Sequence, residues 1–170
     1  MQQFAELLRV PRYALIKTCP LGYNEDFRFH PLIYEEKVYS SITSPIRVTN
    51  CNDDSLITTL TGHTACVWCL IIDDGKLYSQ TYNDIKVYDC SDDTLITTLE
   101  DHTCRITCLE IHDGKLYTGS YDETINVYDC SDDSLITTLR GHTNIVYQLT
   151  FQNGKLYSKQ DDGAIYIWQL

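Results

Sequence analysis

The sequence has no apolar run near the about 18 residues that a membrane-spanning helix requires, and positive charge is scarce. Its 170 residues carry 13 Lys and Arg against 24 Asp and Glu, a formal net charge of -11. Such a surface repels phosphate backbones and anionic lipid. Nucleic acid and membrane are therefore excluded as expected partners, and a protein with a basic face is favoured. Residues 1–9 hold an early acid and no apolar core of the signal-peptide kind. The expected location is the cytoplasm, with the nucleus as alternative. Eight cysteines suggest disulfides at first sight. However, Cys51, Cys90 and Cys130 recur once per repeat, as do Cys69 and Cys108. They read as small apolar residues copied with the repeat and held as free thiols.

What the sequence has in abundance is itself. Ser55–Leu60 returns as 94–99 and as 134–139, each followed three residues later by His63, His102 or His142. Asp-Gly-Lys-Leu-Tyr at 74–78 and 113–117 returns as Asn-Gly-Lys-Leu-Tyr at 153–157. Ile85–Asp89 is matched at 125–129 and 165–169. Self-similarity with a period of about 40 residues marks a stacked repeat architecture. Each piece alternates apolar with polar residues and favours β-branched and aromatic side chains, which predicts short strands. Asp-Gly and Asn-Gly between two such runs predict tight hairpins. Four antiparallel strands per repeat and no helix follow. A weaker copy lies in front: Val38-Tyr39-Ser40 matches Leu77-Tyr78-Ser79, Ile46-Arg47-Val48 matches Ile85-Lys86-Val87, and Ala14–Thr18 is similar to Ser55–Thr59. The units are 14–50, 54–90, 93–130 and 133–169, and residues 1–13 form an N-terminal extension outside the pattern.

The best copy runs from Asp101-His102 through Leu116–Asp129. It resembles the WD-repeat (WD40) family, with its Gly-His, its Ser-Gly-Ser-x-Asp turn and its closing Trp-Asp. The resemblance implies an all-β propeller of four four-stranded blades. It also implies a buried structural network of His, Asp, Ser or Thr, and Trp. Carried onto this chain, the last blade matches fully with His142, Asp162, Ser158 and Trp168. The third uses His102, Asp122 and Thr118, with Tyr128 in place of Trp, so that its hydrogen bond is rearranged or lost. The second has His63 and Ser79, Asn83 near the Asp position, and Tyr88 for Trp. In the first, Tyr23 and Ser44-Pro45 stand where the network residues belong.

Chemistry is not expected from these groups. An active site rarely recurs in every repeat, so no catalytic residue is assigned. Cys66-x-x-Cys69 lies at a strand start, where residues three apart point to opposite faces, and no second pair completes Cys104 and Cys108 as a zinc site. No metal or cofactor is expected. The resemblance places the acidic pairs Asp53-Asp54, Asp92-Asp93 and Asp132-Asp133, with Asp73-Asp74 and Asp113, on one face. They serve solubility or dock a basic partner. On the opposite face the resemblance places partner-binding loops at Cys66, Tyr82, Arg105, Tyr121, Ile145 and Asp161.

The expected function is a non-catalytic scaffold or adaptor that binds a protein or peptide. The alternatives are a structural subunit of a larger assembly, or the recognition module of a ubiquitin-ligase or signalling complex. Four blades are few for a ring that must close. The last repeat lacks an outer strand, while 14–18 is an outer strand without a blade. A homodimer completing an eight-bladed ring, a small four-bladed ring and an open fragment are the three arrangements.

Overall fold

The structure, a computed structural model, describes residues 31–41 and 45–169. The extension 1–13, the strand expected at 14–18, Tyr23 and Ser44 lie outside the described residues. Among the described residues fifteen strands form four antiparallel sheets. The first holds β1 (Leu32–Tyr34), β2 (Lys37–Ser40), β3 (Ile46–Asn50) and β4 (Leu56–Leu60). The second holds β5 (Cys69–Asp73), β6 (Lys76–Gln80), β7 (Ile85–Asp89) and β8 (Leu95–Leu99). The third holds β9 (Ile106–His112), β10 (Lys115–Ser120), β11 (Thr124–Asp129) and β12 (Leu135–Arg140). The fourth has three strands: β13 (Val146–Gln152), β14 (Lys155–Gln160) and β15 (Ile165–Trp168). Each sheet is a meander of neighbours in sequence. The sequence repeat straddles two sheets, because its Leu-Ile-Thr-Thr-Leu segment is the outer strand of the sheet before.

The hairpins form as their residues dictate. Asp74-Gly75, Asp113-Gly114 and Asn153-Gly154 all have positive φ at both positions, the backbone that a two-residue turn matching the strand twist demands. Glu35 takes the first such position in the first sheet, at φ 54°.

Adjacent sheets pack face to face, and strand alternation sorts their side chains between two cores. In the second sheet Leu77 and Tyr88 face Tyr39, Ile46 and Val48 of the first. Their neighbours Tyr78, Ile85 and Val87 face Leu116 and Tyr128 of the third. Tyr117, Ile125 and Val127 of the third then face Val146, Leu149 and Leu156 of the fourth. The inner strands β1, β5, β9 and β13 lie side by side in that order. The result is four blades of a β-propeller joined by three cores. Packing is tight where inner strands meet: a Cβ on Gly119 would lie 2.7 Å from both Cys108 Sγ and Val146 Cγ1. Thr107 Oγ1 also donates to the carbonyl of Val146 across that junction.

A polar latch ties neighbouring blades at the hairpin end. Lys37 Nζ of the first blade donates to the carbonyl of Cys90 (2.7 Å) and to Asp93 Oδ2 (2.8 Å), and Tyr39 Oη donates to Asp93 Oδ1 (3.1 Å). One blade on, Lys76 Nζ donates to the carbonyl of Cys130 and to Asp133 Oδ2, both at 2.8 Å, and Tyr78 Oη to Asp133 Oδ1 at 3.0 Å. Asp93 and Asp133 hold positive φ, 62° and 61°, which aims their carboxylates back at the preceding blade. The second Asp of each pair is thus an internal fastener. The first caps its own turn, as Asp92 Oδ1 does for Thr94 N.

Candidate functional site

The three histidines sit at equivalent places, each buried, and their networks differ. In the third blade His102 Nδ1 donates to Asp122 Oδ2 at 2.8 Å, and Nε2 accepts from Thr118 Oγ1 at 2.7 Å. Burial pushes the Asp122 carboxyl upward, but hydrogen bonds from Thr124 and His102 outweigh it and hold the group below its usual range. Tyr128 does not reach Thr118. Its Oη accepts from Asn126 Nδ2 at 3.3 Å, and Asn126 Oδ1 accepts from Thr138 at 2.7 Å, so the network is rearranged rather than simply shortened.

In the last blade Trp168 Nε1 donates to Ser158 Oγ (2.7 Å), and that hydroxyl meets His142 Nε2 at 2.8 Å. The expected direct contact from His142 to Asp162 is replaced. His142 Nδ1 donates to Gln160 Oε1 at 3.1 Å, and Gln160 Nε2 donates to Asp162 Oδ2 at 2.8 Å. Gln160 stands where the third blade has Ser120, and its longer amide fills the space the carboxylate would need.

In the second blade His63 Nε2 and Ser79 Oγ are 2.6 Å apart. The neighbouring acid, Asp84, pairs with Lys86 at 3.6 Å, and Tyr88 Oη donates to the carbonyl of Thr61 at 2.9 Å. Burial pushes His63 down to about 4, and burial also lowers His142. These rings are uncharged spacers between strands, which is a structural use. Among the described residues no group of three or more His, Cys, Asp or Glu is placed to hold a metal.

The loops at the other end of the blades carry the residues expected to bind a partner. Tyr121 N donates to the carbonyl of Arg105 at 2.8 Å, and Ile106 N donates to the carbonyl of Tyr82 at 2.8 Å across the junction of the second and third blades. Tyr82, Arg105 and Tyr121 are thereby gathered at one corner, with Tyr82 and Tyr121 exposed. Trp68, which the sequence reading did not single out, completes the corner. The Arg105 guanidinium carbon lies 4.9 Å from the centre of the Trp68 ring and 5.8 Å from that of Tyr121, both within cation–π range. Arg105 Nε is buried with no hydrogen-bond acceptor among the described residues. A lone Trp away from the closing position of its repeat was the signal available for Trp68. Ile145 and Asp161 pair in the same way in the last blade, Asp161 N to the carbonyl of Ile145 at 3.0 Å. Cys66 is exposed in the matching loop of the second blade. Neither of these two places has a cation–π pair like that of Arg105.

The family model described as WD domain, G-beta repeat matches residues 54–96 and 93–129. These two stretches match WD40 repeats. Its fold is similar to the crystal structure of the computationally designed Ika4 protein, with a TM-score of 0.73 at 25% identity over 81% of this chain and 88% of that one. The computationally designed Ika8 protein aligns with a TM-score of 0.74 at 25% identity, over 82% of this chain and 45% of that one. The RRP9 WD40 repeats align with a TM-score of 0.69 at 19% identity, over 79% of this chain and 45% of that one. This chain therefore spans less than half the length of the last two. No curated protein matches it in sequence. Proteins built on WD40 propellers are typically protein-interaction scaffolds and generally non-catalytic.

Proposed function

We propose that this chain is a non-catalytic adaptor that grips a protein or peptide segment at the corner formed by Trp68, Tyr82, Arg105 and Tyr121. The observation that carries this reading is Arg105. Its guanidinium is held against two aromatic rings while a buried Nε–H has no acceptor. A buried donor without an acceptor is costly, and a shift of the side chain toward a partner's carbonyl or carboxylate would relieve it. Rigid aromatic and Arg groups are also the side chains that dominate binding energy at interfaces. The acidic turns at the opposite end, Asp53, Asp92 and Asp132, favour a second contact with a basic face. The adaptor works in the cytoplasm as a homodimer that completes the ring.

Affinity capture from cell extract, comparing the wild-type chain with Arg105→Ala and Tyr121→Ala, tests the corner. Loss of the same partners from both variants is the expected result. An unchanged partner set would remove this corner from consideration. A structural subunit is the second reading, because capture of one permanent stoichiometric complex that survives both substitutions would favour it.

A further inference from the structure

The last blade ends in an exposed core face. Ile165 and Ile167 are 62% and 60% exposed. They occupy the positions of Ile46 and Val48, Ile85 and Val87, and Ile125 and Val127 in the three blades before, all buried against a following blade. The chain's own first blade does not cover them: among the described residues three cores join the four blades, and Ile33 on the outer side of the first blade is exposed as well. Among the described residues β15 also lacks the outer neighbour that β3, β7 and β11 each have.

The interblade latch stops at the same two ends. Its donor pair recurs as Lys155 and Tyr157 in the last blade, beside the exposed face. Its acceptor recurs in the first blade as Asp54, which has the same backbone as Asp93 and Asp133, with φ 59°. Lys155 and Asp54 are exposed and neither forms an ion pair among the described residues. Lys115 and Tyr117 face the last blade, which among the described residues has no outer-strand turn to offer them. So the exposed apolar face carries an unused donor half, and the first blade carries the acceptor half and apolar side chains to meet it.

We infer that the first blade of a second copy of this chain closes this face, so that two chains form one eight-bladed ring, with Lys155 and Tyr157 of each engaging Asp54 of the other. Ile165 and Ile167 are then buried against Ile33 and Val38 of the second copy. A two-fold axis makes both junctions identical. This deepens the homodimer part of the proposed function and is independent of the Arg105 corner.

The test uses two full-length single variants, Asp54→Lys and Lys155→Asp. Each puts like charges at both junctions of its own dimer. Each is expected to weaken self-association on the order of 100-fold, as like charges at a close interface pair do, with an unchanged circular dichroism spectrum because both sites are exposed. Mixing the two restores opposite charges at both junctions, so mixed dimers are expected at wild-type affinity, read by mass photometry with one variant carrying a mass tag. Variants that dimerise like wild type, or a mixture that fails to recover, would overturn the inference. A ring closed within one chain gives no recovery on mixing. Loss of partner capture by Arg105→Ala with dimerisation intact would leave this inference standing.

Discussion

The third and fourth blades are built from equivalent strands in the same order and end in opposite conditions. In the third, Ile125 and Val127 are sealed against the fourth; in the fourth, Ile165 and Ile167 face solvent. The same alternation of side chains produces both outcomes. In a propeller a strand's apolar face is not a property of its own blade: it becomes core only when the next blade arrives. The latch repeats the lesson in polar form. Lys76 meets a carboxylate of the following blade, whereas Lys155, in the equivalent position, meets none among the described residues.

The sharpest way to break this comparison is to truncate both sides of it. Ile125→Ala should cost about 2–5 kcal/mol, the range for a buried large-to-small change. Ile165→Ala should leave the stability of a single chain within about 0.5 kcal/mol while weakening self-association. Denaturant titration at low chain concentration reads both. Equal losses would mean that the last blade's face is already buried. The latch gives the next effect. Lys76→Met strands the Asp133 carboxylate, which is 3% exposed, and should cost about 3 kcal/mol as other broken buried pairs do. Lys155→Met should cost almost nothing in a single chain. Gly119→Ala comes third, at about 1–3 kcal/mol, because its Cβ has two neighbours at 2.7 Å; rescue by Val146→Ala would identify the clash.

The last effect is in pH and is confined to a narrow acidic window. His63 titrates near 4 when folded and near its ordinary 6.5 when unfolded. Between these values the unfolded chain holds the extra proton. The contribution is therefore complete above about pH 6.5 and is lost as pH falls toward 4. Thermal melts of wild type across that window should slope more steeply than those of His63→Asn. Superimposable slopes would show that His63 is not buried as described.

The repeat made the fold legible, because Asp-Gly turns and period-2 strands are local signals that recur in register. Gln160 was not legible. Which acceptor reaches a buried His depends on side-chain length in a packed space, and Asp162 stood at the expected spacing. The latch was also hidden. Lys76 and Asp133 are in different repeats, so each looked like a turn residue until two blades were placed side by side. Arg105 and Tyr121 stood out singly, but their convergence on Trp68 depends on how neighbouring blades meet.

Light scattering on the full chain over a range of concentrations tests the central claim most directly. Closure by a second copy predicts a species of two 19.6-kDa chains that gives way to one chain on dilution. A single-chain mass at every concentration would contradict it.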